Sequence, residues 1–365
     1  MQKKLLSLAI AGALALPGAA MADLKNVDVY GKFHASWDMV DNESDFDDNT
    51  GAFRNARLGF KGSEKLNNSF KAIWQIETDL DTNSGQDKLG LRNTFIGLQG
   101  DKWGTFAFGK HDTPYKMATA KLDIFSDTIA DYNNIIGVHV INSATGATGA
   151  DFNTRASQAV MYNTPNFGGF EGAIARISAP NDEAATKDDQ AAWSAMAKYD
   201  KGPLFASLAY ELYRGGAHPT SATSTITNEV GAWKLGFGYE LGESKASFVY
   251  EDIEQNGANN NAGSRSAFNI NFAHDFGANT VKVAYARAND SDAVGSNDGA
   301  DNWSLGLDHN FSKRTKIYGI YTRMGNDSGA NYGLYGAQAD GGTYYTGASA
   351  GKDVSAFSFG IIHDF

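Results

Sequence analysis

The sequence predicts an all-β protein, a transmembrane antiparallel up-and-down β-barrel of about sixteen strands. Three observations lead to this fold class. Segments of roughly ten residues alternate apolar and polar side chains, the connections between them are alternately short and long, and the chain begins with an export signal. A meander with tight turns at one end and long loops at the other produces this rhythm.

The N-terminal residues 1–22 have the composition of a secretory signal peptide. Two lysines precede an apolar stretch from Leu5 to Leu16, and Ala20 and Ala22 are small residues at the positions that define cleavage. The apolar stretch is shorter than the ~20 residues that a membrane-spanning helix needs. The sequence therefore predicts cleavage after the signal and a single barrel domain over residues 23–365.

The composition excludes several classes of function. The formal net charge is −11, and nucleic acid is not an expected partner because phosphate binding needs a concentrated positive surface. Cysteine is absent, so disulfides and thiolate zinc sites are excluded. The 41 glycines, 16 tyrosines and 22 phenylalanines, with only 6 prolines, suit many strands with tight turns and aromatic faces.

The first strand shows the alternation most clearly. Between Val27 and Met39, Phe33 and Trp37 belong to an apolar face, while His34 and Asp38 belong to a polar one. A half-buried strand has this period of two, and a helix does not. Later segments with the same division contain Trp74, Trp233, Phe268 and Trp303. Three segments alternate poorly and are placed by their neighbours: Leu91 to Gly100, Gly104 to Lys110, and Thr315 to Met324.

The last segment ends at Phe365, which shares a face with Phe357, Phe359 and Ile361. A terminal aromatic residue on the apolar face of a final strand suits a strand that pairs with the first one. Phe365 is therefore the candidate residue for barrel closure.

A soluble β-sandwich also alternates apolar and polar residues, so periodicity alone does not decide the architecture. The mean hydropathy is −0.37, too polar for all the apolar faces to meet in one interior. A barrel resolves this by turning its apolar faces to lipid and its polar faces to water, with every backbone group paired. A soluble exported binding protein or lectin is the alternative.

No catalytic or metal-binding motif keeps its required context. The stretch Gly347 to Gly351 matches a nucleophile elbow, but a strand rather than a helix follows it. The acidic stretch Asp41 to Asp48 resembles a calcium loop, yet Phe46 stands where the EF-hand needs glycine. It is expected to be a solvated loop, with opportunistic divalent-cation binding left open. We predict that the protein is not an enzyme and has no cofactor and no metal.

Four stretches resemble the general diffusion porins of neisserial and other β-proteobacterial outer membranes. They are Ala56 to Leu80, Leu91 to Pro114, Asp127 to Gly137 and Met161 to Phe170, and the terminal FGIIHDF fits as well. The resemblance is diffuse between about Pro180 and Gly351, where only the strand rhythm carries it. It implies a sixteen-stranded barrel, a homotrimer, and a third extracellular loop folded into the lumen.

The sequence supports such a loop independently. The residues between His111 and Asn153 lack strand alternation, and so long a structureless segment in a compact protein needs a functional explanation. Its apolar residues are expected to pack against the barrel wall: Ile124, Phe125, Ile135, Ile136 and Val138. Asp123, Asp127 and Asp131 are then expected to line the narrowed channel. An external flap is the alternative.

In the family that the chain resembles, arginines of three strands form a basic cluster opposite the constriction loop. They correspond to Arg57, Arg92 and Arg155 here. Alternation places Arg57 and Arg155 on the inward face and leaves Arg92 ambiguous. These arginines either select anions or simply neutralise nearby acids.

The predicted function is an outer-membrane porin, a water-filled channel for passive diffusion of ions and small hydrophilic solutes. We expect it to be weakly charge-selective at the constriction. The alternatives are a barrel-type enzyme, either a protease or a phospholipase, and a solute-specific channel. The expected partners are outer-membrane lipid, lipopolysaccharide and two further copies of the chain.

Overall fold

The computed structural model describes residues 26–43, 48–80, 91–142, 147–178, 191–214, 229–255, 264–292, 296–335 and 344–365. The predicted signal peptide, residues 1–22, lies outside the described residues, and so does much of the acidic stretch Asp41 to Asp48. None of the described helices is long and apolar enough to cross a membrane.

A closed sheet of sixteen antiparallel barrel strands dominates the molecule. Two of its strands, β2 and β3, both pair with β1 and are the two halves of one barrel strand. The strands of the barrel are β1 (Val27–Asp41), β2 (Asp48–Phe53), β3 (Arg57–Lys65), β4 (Lys71–Asp79), β5 (Thr94–Gly100), β6 (Gly104–Asp112), β9 (Arg155–Asn163), β10 (Phe170–Ser178), β11 (Ala191–Lys201), β12 (Leu204–Tyr213), β13 (Val230–Leu241), β14 (Ser244–Gln255), β15 (Arg265–Phe276), β16 (Asn279–Ala288), β17 (Ala300–Asn310), β18 (Thr315–Asn326) and β21 (Val354–Asp364).

The remaining strands form two small hairpins outside the barrel sheet. They are β7 (Val138–Asn142) with β8 (Ala147–Asp151), and β19 (Gly333–Tyr335) with β20 (Tyr344–Thr346). The first hairpin and a short helix, α1 (Pro114–Thr119), lie between β6 and β9, where the sequence predicts a segment without regular structure. Thr113 caps α1 by accepting a hydrogen bond from the Lys116 backbone at 3.3 Å.

The barrel closes between its first and last strands. Residues from Lys32 onward in β1 pair antiparallel with β21, beginning opposite Asp364. The Phe365 backbone N–H donates to the Gly31 carbonyl at 3.0 Å, and the Gly31 N–H donates to the Phe365 carbonyl at 3.1 Å. The Phe365 ring stacks on Phe33 at 5.4 Å. Phe365 thus lies at the seam, where its backbone continues the ladder.

The predicted division of each strand into two faces is confirmed. In β13, for example, Trp233, Leu235 and Phe237 are exposed, whereas Lys234 between them is fully buried. The segments whose sequence pattern is weak also form barrel strands, namely β5, β6 and β18. The apolar faces therefore point outward and the polar faces point inward, as in a membrane barrel.

Tight turns join the strands at one end of the barrel. Three of them begin with a glycine in the left-handed region, Gly202, Gly242 and Gly277, with φ of 61°, 60° and 62°. Two-residue hairpin turns require positive φ at this position, which glycine adopts without strain. The long connections, including the β6–β9 segment (residues 113–154), leave from the opposite end.

Candidate functional site

The β6–β9 segment contacts inward-facing side chains of several strands. The Tyr115 backbone N–H donates to Ser194 of β11 at 2.9 Å. Ser247 of β14 donates to the Leu122 carbonyl at 2.8 Å, and Lys282 of β16 donates to the Ile124 carbonyl at 3.2 Å. These contacts attach the first half of the segment to the inner face of the β11–β16 wall.

Glycines on that inner face make room for the segment. A Cβ atom on Gly236 of β13 would lie 2.8 Å from the Leu122 side chain, and one on Gly306 of β17 would lie 2.6 Å from the Phe125 ring. Such distances are too short for a real Cβ atom. Glycine at these inward positions therefore allows Leu122 and Phe125 to pack against the wall, and such glycines in the sequence are a signal for this contact.

Glu251 of β14 anchors the segment at two points. Its carboxylate is fully buried and accepts hydrogen bonds from the Tyr115 hydroxyl at 2.8 Å and from the Gly137 backbone N–H at 2.8 Å. Lys234 lies 4.0 Å from the centre of the Tyr115 ring. The start of the segment and the turn before β7 are thereby attached to the same carboxylate.

The tip of the segment reaches the strands at the barrel seam. Asp127 lies 2.7 Å from the Lys32 ammonium of β1 and 3.6 Å from the Arg57 guanidinium of β3. Asn55 donates a further hydrogen bond to the Asp127 carboxylate at 3.0 Å. Burial raises the pKa of Asp127, but Lys32 and Arg57 oppose that effect and hold it well below its usual range.

Arg92 lies beside this tip, but its guanidinium is paired with carboxylates of β4. Its guanidinium donates to Glu77 at 2.7 Å and to Asp79 at 3.0 Å, and also to the Asn55 side-chain oxygen at 3.1 Å. Asn55 therefore links Arg92 to Asp127. The ambiguity left by alternation is resolved, since Arg92 is buried and points toward these inward carboxylates.

Arg155 belongs to a second group of charges. It lies 3.2 Å from the Asp112 carboxylate and 3.1 Å from the Asn93 side-chain oxygen. Lys116 of α1 lies 3.3 Å from the same Asp112 oxygen. Asp112 is thus shared between two cations, as Asp127 is.

The three predicted arginines therefore lie along one stretch of inner wall and are partly neutralised. We call the charged residues around them the charge cluster. Among the described residues it holds five cations and four carboxylates: Lys32, Arg57, Arg92, Lys116 and Arg155 with Glu77, Asp79, Asp112 and Asp127. The net charge of this cluster is one positive.

Asp123 and Asp131 occupy a different environment from the one expected. They are 9 % and 4 % exposed, whereas the sequence predicts that they line the channel beside Asp127. Asp123 accepts backbone N–H bonds from Phe125 at 2.9 Å and Tyr132 at 3.2 Å. Asp131 accepts them from Asp127 and Asn133. Their oxygens organise the turns of the segment, because its backbone donors have no regular ladder to join.

Burial raises the pKa of both carboxyls. For Asp123 the shift is large, and the neighbouring Asp131 charge adds to it. For Asp131 the negative charge of Asp127 adds to the effect of burial. The two carboxyls therefore hold protons more strongly than Asp127 does.

The connection between β18 and β21 also contacts the segment. The Tyr335 backbone N–H of β19 donates to Asn134 at 2.8 Å, and its carbonyl accepts from Arg54 at 2.7 Å. The Tyr335 hydroxyl accepts from Asn55 at 3.3 Å. This hairpin lies against the residues that hold the segment tip.

Several residues of the charge cluster were not predicted. Lys32 and Glu77 lie on polar faces that alternation identifies, Asp112 directly precedes the segment, and Lys116 lies in its helix α1. Alternation could have placed these side chains inward, but their pairing depends on contacts between distant parts of the chain. Among the described residues, no group of three or more His, Asp or Glu side chains is arranged to hold a metal ion.

Comparisons with known proteins give one consistent result. The model of the Gram-negative porin family matches residues 7–330. Outer membrane porin protein 32 of Delftia acidovorans is 29 % identical over 374 residues, covering 100 % of both chains. Major outer membrane protein P.IB of Neisseria meningitidis serogroup B is 29 % identical over 333 residues, covering 86 % of this chain and 91 % of the relative.

A solved structure has a similar fold. The anion-selective porin from Comamonas acidovorans superposes with a TM-score of 0.73 and covers 93 % of this chain and 99 % of its own. Its sequence identity is 23 %, so this likeness supports the barrel architecture alone.

Proposed function

Because the chain belongs to the Gram-negative porin family, we propose that its barrel encloses a channel whose narrowest part lies between the β6–β9 segment and the charge cluster. The chain is an outer-membrane porin and a passive diffusion channel. Relatives from Delftia acidovorans and Bordetella pertussis are named porins, which are channels and not enzymes. We propose accordingly that this chain performs no catalysis.

In this proposal the segment is the third extracellular loop and lies inside the lumen. One observation carries it. The same segment bonds to inward-facing groups of β11, β14 and β16 through its first half and to Lys32 and Arg57 through Asp127. An external flap would not reach inward-facing side chains on both sides of the barrel.

The charge cluster is then the selectivity filter. Its net charge of one positive favours anions only weakly, because each of its cations has a carboxylate within ion-pairing distance. At physiological salt the screening length is about 8 Å, so acidic loops at the mouth contribute little at the constriction. Arginine cannot lose its charge by deprotonation, and a low-dielectric wall focuses its field on a passing ion.

The mature protein is proposed to be a homotrimer in the outer membrane, with lipid and lipopolysaccharide around its apolar outer face. Removal of residues 1–22 leaves a single barrel domain. These steps rest on the signal-like composition of the N-terminus and on the assembly that the family resemblance implies.

Planar-bilayer recording tests the proposal. The purified chain should insert as ohmic channels, and its reversal potential in a salt gradient should have the sign of a weak anion preference. Heat-modifiable migration in detergent gels supplies the control for folding. A folded protein that is electrically silent would contradict a channel, and a clear cation preference would contradict the proposed filter.

A further inference from the structure

The outward face of the barrel carries arginines close to the end from which the long connections leave. Arg176 of β10 alternates with the buried Ala175 and Ile177, so its side chain points away from the interior. Arg287 of β16 and Arg323 of β18 are likewise outward, since each lies between buried residues of its strand. In outer-membrane barrels this end faces the exterior of the cell.

Two of these three arginines have acidic partners. Arg287 lies 2.7 Å from Asp327, and Arg323 lies 2.5 Å from Asp353. No carboxylate of the described residues pairs with Arg176. The Arg176 guanidinium instead lies over an aromatic ring, with its central carbon 5.2 Å from the centre of the Trp193 ring on β11.

The surroundings of Arg176 are apolar. Its direct partners across the sheet are Val160 of β9 and Trp193 of β11, and Ile174 precedes it on the same face. All three are exposed on the lipid side of the wall. An arginine in such surroundings extends to the headgroup level, where Trp side chains also concentrate. Arg176 lies two residues from the end of β10, which is consistent with that depth.

We propose that Arg176, stacked on Trp193, binds a phosphate group of lipopolysaccharide in the outer leaflet. A guanidinium presents a planar fork of N–H donors that matches phosphate, and stacking on an aromatic face leaves its edge free to donate. The lipid A part of lipopolysaccharide carries phosphates above acyl chains, so one molecule would satisfy both the cation and the apolar wall below it. This proposal depends on the location of the protein in the outer membrane and does not depend on whether the barrel conducts ions.

The experiment counts bound lipid by native mass spectrometry. Detergent-purified protein is mixed with diphosphoryl lipid A or with its dephosphorylated form. Arg176→Gln should bind diphosphoryl lipid A roughly tenfold more weakly than wild type, since a charge-assisted hydrogen bond is lost. Arg323→Gln is the matched control and should bind like wild type, because that guanidinium is already paired with Asp353.

Three outcomes would overturn the site. The first is equal binding of lipid A by wild type and Arg176→Gln. The second is equal binding of both lipid forms by wild type, which tests the role of phosphate without any substitution. The third is a change in subunit number in Arg176→Gln with unchanged lipid binding, since this would make the surface a contact between copies. Bilayer conductance of both variants should match wild type whether or not the lipid site exists.

Discussion

Asp127 and the pair Asp123 and Asp131 lie on one short segment, yet the fold uses their charges in opposite ways. Asp127 faces Lys32 and Arg57, and the pKa of its carboxyl is held low. Asp123 and Asp131 accept hydrogen bonds from backbone amides of the segment, and burial raises the pKa of both carboxyls. Three identical side chains therefore divide into one that pairs with cations of the barrel strands and two that shape the segment.

The difference teaches that neighbouring carboxylates on one segment need not have the same electrostatic role. A partly exposed carboxylate that is paired with cations changes the electrostatic field around it. A buried carboxyl that accepts backbone hydrogen bonds mainly satisfies N–H groups that have no partner strand. The two roles differ only in whether cationic side chains or backbone N–H groups lie next to the carboxyl.

Removing the whole segment tip should have the largest effect. Deletion of residues 126–146 eliminates Asp127, Asp131 and the turn that Glu251 anchors, and it frees cross-section for water. Conductance should rise roughly twofold or more, because a barrel of this strand number is wide without an obstruction. Unchanged conductance in a variant that keeps heat-modifiable migration would place the segment outside the lumen.

A single substitution at the tip should have an intermediate effect. Asp127→Asn removes the carboxylate between Lys32 and Arg57 and raises the net charge of the cluster from one to two positive. The anion-to-cation permeability ratio should increase about two- to threefold, as judged from reversal potentials.

Asp123→Asn is the matched control for this substitution. It changes the same functional group in the same segment, but away from the cations of the charge cluster, so the permeability ratio should stay at the wild-type value. If Asp123→Asn shifted selectivity as much as Asp127→Asn, the distinction between the two kinds of carboxylate would be wrong.

The smallest expected effect concerns pH. A carboxyl with a raised folded pKa takes up a proton on folding, so its favourable contribution exists below that pKa and is lost as the pH rises through it. Asp123 and Asp131 therefore stabilise the segment on the acidic side. Asp127, with a lowered pKa, contributes above its unfolded value near 3.9 and loses that contribution as the pH falls through its folded pKa.

Amide hydrogen exchange measures whether the stability of the segment falls or rises with pH. Between pH 5 and pH 8, amides of residues 123–134 should lose protection as the pH rises, after correction for the intrinsic pH dependence of exchange. The double variant Asp123→Asn, Asp131→Asn should flatten that dependence, while Asp127→Asn should leave it in place. Protection that stays constant or increases with pH in the wild type would contradict a stabilising role for the protonated pair, because Asp127 is ionised in the folded and unfolded states throughout this range.

Local physics accounts for what the amino-acid sequence by itself determined. The period of two in a strand divides Phe33 and Trp37 from His34 and Asp38 without reference to any distant residue. Glycines such as Gly242 and Gly277 similarly mark tight turns through their own backbone freedom. Strand number, face orientation and closure at Phe365 follow from these rules, and so did the inward direction of Arg57.

The tertiary structure alone decided which charges meet. Lys32 and Asp127 are 95 positions apart in the chain, and Arg155 and Asn93 are 62 apart, so no local pattern pairs them. The path of the β6–β9 segment depends on where Gly236 and Gly306 leave space and on the buried carboxylate of Glu251. Burial and ion pairing are properties of the assembled barrel, because they depend on which strands the closed sheet brings to face the segment. For that reason the sequence could name Asp123, Asp127 and Asp131 together, and only the fold could separate them.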